Sequence, residues 1–130
     1  MDVLKYTDLD VWLKARQLVK LVYSESKHFP KEELFGLTNQ LRRAAISIPS
    51  NIAEGCGRQS DKEAVQFFFI AKGSLYEVET QLYLAMDLEY LSREKFENLN
   101  IQVEACKKLL NGFIRYFRTK ANNQQRTTNN

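Results

Sequence analysis

The residues best suited to chemistry lie in segment 36–63, GLTNQLRRAAISIPSNIAEGCGRQSDKE, which combines adjacent arginines with a proline and paired glycines. Arg42 and Arg43 carry guanidinium groups, which donate hydrogen bonds in a fork that fits carboxylates and phosphates. Pro49 and Gly55 both oppose an ordinary helix. The segment therefore indicates anion contact or charge pairing in addition to core packing.

The two arginines are predicted to have different roles, because neighbours on a helix point about 100° apart. Arg43 is expected to lie along a helix edge and to pair with a carboxylate, for which Glu77 is the candidate. Arg42 is then free for phosphate contact. Arg58 and Lys62 flank a helix start, where free amide donors and the positive dipole end attract anions. Structural pairing and anion contact both stay open for this group.

Catalytic and metal sites are poorly supported by the residue types present. Cys56 lies near Arg58, a cation that lowers a thiol pKa, yet nothing in the sequence positions His28 beside it. His28 is the only histidine, whereas a di-iron bundle needs a Glu-x-x-His pair on each of two helices. Cys56, Cys106 and His28 do not complete a zinc site. The sequence predicts no catalytic residue, no metal and no cofactor, and therefore no enzyme.

Basic and acidic residues are segregated along the chain, although the net charge is only +3. Residues 105–130 hold six basic residues and no acidic one, whereas residues 77–104 hold seven acidic residues against two basic ones. This asymmetry suits an acidic partner such as nucleic acid, and equally a head-to-tail protein contact. The candidate nucleic-acid contacts are the cations of this region and of segment 36–63: Arg42, Arg58, Lys62, Arg115, Arg118 and Lys120.

Apolar periodicity predicts four helices, over residues 8–28, 38–56, 61–91 and 93–118, in one domain that spans 1–118. Pro49 lacks an amide donor and crowds the carbonyl of Ala45, so the second helix is expected to kink or break there. The polar residues 119–130 predict a disordered tail. Short connections without a strand pattern favour an all-α fold, an antiparallel up-down-up-down four-helix bundle.

No apolar run approaches the roughly 18 residues of a membrane span, and the N-terminus lacks the pattern of a secretory signal. A cytoplasmic protein without membrane contact is therefore expected.

An aromatic stripe runs along the third predicted helix, where Phe69, Tyr76, Tyr83 and Tyr90 recur every seven residues. Residues at this spacing lie on nearly the same side of a helix. Such a stripe is a core edge, a subunit interface or a base-stacking surface. The interface interpretation makes these four residues the candidate contact between copies of the chain.

Three segments, in order, carry a resemblance to a known family: LDVWLKARQLVKLVY, FGLTNQLRRAAISIPSNIAEGCGRQSDKE and FFFIAKGSLYEVETQLYLA. Over residues 6–117 the chain resembles the bacterial four-helix bundle proteins that are encoded within intervening sequences of 23S rRNA genes, also called ribosomal S23-like proteins. The resemblance implies a four-helix bundle. The similar accessory protein of diversity-generating retroelements implies a homopentameric barrel with a basic surface that engages nucleic acid and a reverse transcriptase.

Two functional hypotheses follow. The first is a non-enzymatic, homo-oligomeric module that binds RNA or another nucleic acid through phosphate contacts with little base specificity. The alternative is a protein–protein scaffold or accessory subunit with no direct nucleic-acid role, which predicts a stable oligomer that forms without RNA.

Overall fold

The computed structural model describes residues 5–128, which are helical apart from short turns and loops. Each helix packs against the one before it, and the fourth closes the ring against the first. The predicted antiparallel four-helix bundle is therefore confirmed. Its helices are α1 (Asp10–Ser26), α2 (Leu37–Cys56), α3 (Asp61–Asp87) and α4 (Arg93–Thr128), and two 3-10 turns, Tyr6–Asp8 and Lys31–Glu33, precede α1 and α2.

One apolar face of each helix forms the core, as the periodicity predicts. Phe68 is the largest fully buried side chain. Its ring centroid lies 4.7 Å from that of Phe113 and 5.1 Å from that of Phe117, so α3 and α4 join through an aromatic cluster. Burial of apolar area is the dominant favourable term in folding, and these three aromatic rings contribute to it at the contact of α3 with α4.

Helices α2 and α3 approach closely because small residues line their contact. The Ser74 hydroxyl donates to Ser47 Oγ over 2.8 Å and so bridges the two helices. A Cβ placed on the buried Gly55 would lie 2.5 Å from Phe68 Cε1 and 2.9 Å from the Ala64 carbonyl oxygen. Only glycine therefore fits where the end of α2 meets the start of α3.

Helix α2 continues through Pro49 without interruption. The Asn51 side-chain amide donates to the Ser47 carbonyl over 2.8 Å and to Ser47 Oγ over 2.9 Å. These bonds tie the turn around Pro49 together, although the carbonyl that loses its helical donor is that of Ala45. Of the two outcomes that the sequence predicts at Pro49, a break is thus excluded and a bend stays a prediction.

The end of α3 differs from the predicted boundary at residue 91. The helix ends at Asp87, and Glu89 adopts a left-handed φ of 64°. The Tyr90 amide then donates to the Ala85 carbonyl over 2.8 Å. This helix-terminating turn removes Tyr90 from the helical repeat, an event that apolar periodicity does not reveal.

The prediction of a disordered tail over 119–130 is wrong for residues 119–128, because α4 extends to Thr128; residues 129 and 130 lie outside the described part. Lys120 Nζ lies 3.6 Å from Asp61 Oδ1 at the start of α3, and 4.9 Å from the Phe117 ring centroid. Alanine, glutamine and arginine in the segment have high helix propensity. The eight residues after Lys120 add about 12 Å to the length of α4 at 1.5 Å per residue.

No helix in the described range 5–128 is both long and apolar enough to cross a membrane.

Candidate nucleic-acid interface

Five of the six candidate cations belong to one end of the bundle, where α2 ends, α3 begins and the C-terminal part of α4 lies. We call this the basic end. The ion pair between Lys120 and Asp61, the first residue of α3, shows that this part of α4 lies beside the start of α3. The cations of the basic end are Arg58, Lys62, Arg115, Arg118 and Lys120.

Arg58 follows the last turn of α2 and has two neighbours that orient it. Its guanidinium pairs with the Glu54 carboxylate and lies over the Phe67 ring, with Cζ 4.4 Å from the centroid. The ion pair is largely exposed, and such pairs contribute only about 0–1 kcal/mol to stability. Glu54 therefore orients Arg58 but binds it weakly, so that another anion could compete for the guanidinium.

The cations on α4 point in several directions around the basic end. Arg118 lies over the α3 side, with its Cζ 5.8 Å from the Phe69 ring centroid. Arg115 and Lys62 are exposed, and neither forms an ion pair with another residue in the described part of the chain. No acidic side chain of the protein therefore competes with a partner for these two cations.

Arg42 does not join the basic end. It lies near the start of α2, beside the end of α1, where its Nε donates to Ser26 Oγ over 2.8 Å. Its Cζ lies 4.6 Å from the Tyr23 ring centroid. Ser26 is buried and is the last residue of α1. The bond from Arg42 therefore connects α1 to α2 at the end of the bundle opposite the basic end. A helical wheel gives the direction of a side chain but not the helix end at which its partner lies.

The predicted pair between Arg43 and Glu77 is not formed. Among the residues that the structure describes, no ion pair joins the two side chains, although both line an open groove of about 580 Å³ between α2 and α3. Both side chains are exposed. Water can solvate each charge here, so the pairing that burial would require is unnecessary.

Lys107 belongs to the basic segment by sequence, but in the fold two carboxylates pair with its charge. Its Nζ lies 2.6 Å from Glu79 Oε2 and 3.0 Å from Glu104 Oε1. It also lies 4.6 Å from the Tyr76 ring centroid. Burial opposes the charge, but the hydrogen bonds that Lys107 donates to the carboxylates of Glu79 and Glu104 outweigh it and raise the Lys107 pKa. Lys107 thus joins α3 to α4; only the Glu104–Lys107 spacing was readable in the sequence.

The aromatic stripe is shorter than the sevenfold repeat predicts. Phe69, Tyr76 and Tyr83 are 42%, 49% and 47% exposed. They lie one above the other on the edge of α3 that faces α4, where they contact Arg118, Lys107 and Phe96. Tyr90 lies beyond the helix, donates its hydroxyl to Glu33 Oε2 over 2.9 Å and packs against Phe29. The exposed stripe therefore consists of Phe69, Tyr76 and Tyr83.

The cysteines lack the environment of an activated thiol. Burial raises the pKa of Cys56, the opposite of the shift that produces a nucleophilic thiolate. Burial also raises the pKa of Cys106 to about 12. Within residues 5–128, no group of three or more histidine, cysteine or acidic side chains is placed to hold a metal ion.

Four packed helices with a cationic end and an exposed aromatic stripe define a small all-helical bundle protein. Sequence comparison assigns the family. The chain belongs to the 23S rRNA-intervening sequence protein family, whose model matches residues 7–112.

A solved structure supports this assignment. It is a protein of unknown function from the S23 ribosomal protein family of Bacteroides thetaiotaomicron, 28% identical, with a TM-score of 0.72 over 80% of this chain and 97% of that one. No curated protein gives a significant match.

Proposed function

We propose that this protein is a cytoplasmic, non-enzymatic homo-oligomer that binds structured RNA, or another nucleic acid, through its basic end. The observation that carries the proposal is the clustering of five cations at one end, of which Arg115 and Lys62 have no acidic partner among the described residues. The family description, a protein of the 23S rRNA-intervening sequence, supports RNA as the first nucleic acid to test.

The mechanism is phosphate contact with release of counterions. Arg115 and Arg118 offer guanidinium forks that fit two phosphate oxygens, while Lys62 acts as a point charge. Contacts of this kind fix position on a nucleic acid and carry no sequence information. Binding should therefore depend on salt and on RNA shape more than on base sequence.

Filter retention of 23S rRNA fragments by nuclease-treated protein tests the proposal. We expect retention at micromolar protein in low salt, and a steep loss of retention as salt rises. Weak retention of every polyanion alike would reflect only the basic isoelectric point, so inorganic polyphosphate, a polyanion without bases, serves as the competitor control and should displace the RNA poorly.

The alternative function, a protein–protein scaffold or accessory subunit, is favoured by the exposed aromatic stripe. Exposed Phe69, Tyr76 and Tyr83 form rigid amphipathic surface of the kind enriched in subunit interfaces. Copies of the chain would then associate through α3, and the resemblance implies five of them.

Replacing Tyr76 and Tyr83 together with alanine is expected to dissociate the oligomer, because aromatic anchors supply most of the energy of an interface. Light scattering of RNA-free protein measures the mass. The matched control replaces Leu13 and Leu21, which are similarly exposed on α1, and should leave the mass unchanged. An unchanged mass in the tyrosine variant would remove the stripe from the interface.

A further inference from the structure

A cleft of about 430 Å³ opens at the basic end, between the turn before α1, the end of α2 and the C-terminal part of α4. Its volume lies within the range of small-molecule sites. We call it the aromatic cleft. It is lined by Tyr6, Leu9, Ala53, Cys56, Gly57, Phe113, Tyr116, Phe117 and Lys120.

The walls of the aromatic cleft expose aromatic surface. Tyr116 is 60% exposed, and its ring meets Phe117 edge to face at a centroid distance of 5.6 Å. Tyr6, on the turn before α1, is 42% exposed. Neither tyrosine belongs to the buried core. The Tyr6 ring meets Trp12 edge to face at a centroid distance of 5.5 Å, so the more exposed Tyr116 is the ring that a planar ligand would stack on.

Cations border the aromatic surface. Lys120 Nζ lies 5.4 Å from the Tyr116 ring centroid and 4.9 Å from that of Phe117. A second, more polar cavity adjoins the cleft, shares Tyr6, Ala53 and Gly57 with it and contains Arg58. One continuous depression thus offers an aromatic half and a cationic half.

We propose that the aromatic cleft binds the planar base of an unpaired nucleotide, which stacks against Tyr116 while Lys120 and Arg58 contact the adjoining phosphate. Aromatic rings accept any base because every base has a π face, and nearby cations hold the backbone. This inference rests on the proposed RNA binding and deepens it, because it assigns the part of the RNA that enters the protein.

Acidic residues beside the cleft limit how many phosphate groups it can bind. Arg58 pairs with Glu54, and Lys120 lies 3.6 Å from Asp61. The side chains of Arg58 and Lys120 are 40% and 42% exposed, so each cation can turn towards a phosphate. The two carboxylates stay nearby and repel a second phosphate. The base is therefore the main occupant, with a single phosphate, and the rest of the backbone lies against Arg115, Arg118 and Lys62.

Gly57 provides a substitution that fills the cleft without removing a cation. A Cβ on Gly57 would meet only the carbonyl oxygens of Glu54 and Ala53, at 3.6 and 3.8 Å, and its φ of −87° is open to any residue. Gly57→Leu thus places bulk in the cleft. Gly73→Leu is the matched control, since a Cβ there meets nothing within 4 Å on α3.

The probe is an RNA hairpin that carries a fluorescent purine analogue in its loop, or in its stem as a reference. Stacking on an aromatic side chain quenches such an analogue. We expect wild type and Gly73→Leu to quench the loop analogue and spare the stem analogue. Gly57→Leu should lose the quenching and bind the hairpin about tenfold more weakly, within the range for one stacked base.

If Gly57→Leu quenches the loop analogue as strongly as wild type and binds the hairpin equally well, the cleft does not bind the base, while the proposed RNA binding is unaffected. A wild-type protein that does not bind the hairpin at all would overturn both proposals.

Alkylation of wild-type Cys56 by N-ethylmaleimide is a second test of the cleft, and it does not depend on the folding of a variant. The hairpin should slow alkylation of Cys56 several-fold, and an unchanged rate contradicts occupancy of the cleft. Buried Cys106 should stay unmodified throughout and so shows that the protein remains folded.

Discussion

Gly55→Ala is expected to destabilise the bundle by about 1–3 kcal/mol, the usual cost of overpacking a filled core. The added methyl would lie 2.5 Å from the Phe68 ring and 2.9 Å from the backbone carbonyl of Ala64. The backbone of α3 must move to relieve the second contact. Phe68 is itself packed against Phe113 and Phe117, so its ring has no open space to enter.

Gly73→Ala is the matched control, and its effect should have the opposite sign. Gly73 lies inside α3, and a Cβ there has no heavy atom within 4 Å. Alanine should stabilise the helix by about 0.5–1 kcal/mol through its better propensity. Urea denaturation followed by circular dichroism measures both variants. Two shifts of the same sign would contradict the close approach of α2 and α3 at Gly55.

Reversal of two charges on α4 is expected to give the largest effect on RNA binding. In the double variant Arg115→Glu/Arg118→Glu, two guanidinium–phosphate contacts are lost and two carboxylates repel the backbone. Hydrogen bonds to charged groups contribute about 1.5–3 kcal/mol each. We therefore expect affinity for an rRNA fragment to fall about a hundredfold or more, with a salt dependence shallower by about two phosphates.

The control for this variant changes the net charge equally at the other end of the bundle. Arg93 and Lys31 are exposed and lie in the first turn of α4 and in the turn before α2. Arg93→Glu/Lys31→Glu should retain most of the affinity in the same titration. Equal losses in the two variants would mean that total charge governs binding and would contradict a site at the basic end.

Local signals in the sequence sufficed for the helix boundaries at the basic end. The predicted end of the second helix at residue 56 lies at Gly55 and Gly57, and the predicted start of the third at residue 61 follows Ser60, which has the capping-box spacing to Glu63. In the fold the Glu63 amide donates to Ser60 Oγ over 3.1 Å, as a capping serine requires. Such signals are readable because both partners lie within one turn of chain.

Contacts between residues far apart in the sequence could not be predicted in the same way. The partner of Arg42 is Ser26 on α1, and that of Lys107 is Glu79 on α3. Periodicity shows which face of a helix is buried, but it does not show how far along the neighbouring helix a side chain reaches. For the same reason, the gathering of Tyr6, Cys56 and Tyr116 into one cleft required the fold.

The length of α4 shows how composition can mislead. Residues 119–128 are polar and poor in apolar side chains, a composition typical of disorder. Lys120 nevertheless connects the segment to Asp61 and to the aromatic rings of the preceding turn. A helix that already exists adds residues at little cost, because nucleation is complete.

The salt dependence of RNA retention by the wild-type protein tests the central claim most directly. Nuclease-treated protein is titrated with a 23S rRNA fragment over a range of salt concentrations. Three to five phosphate contacts for each protomer predict a slope of about −2.7 to −4.5 in a plot of log affinity against log salt. Absence of retention at micromolar protein in low salt, or a slope near zero, would contradict a phosphate-binding basic end.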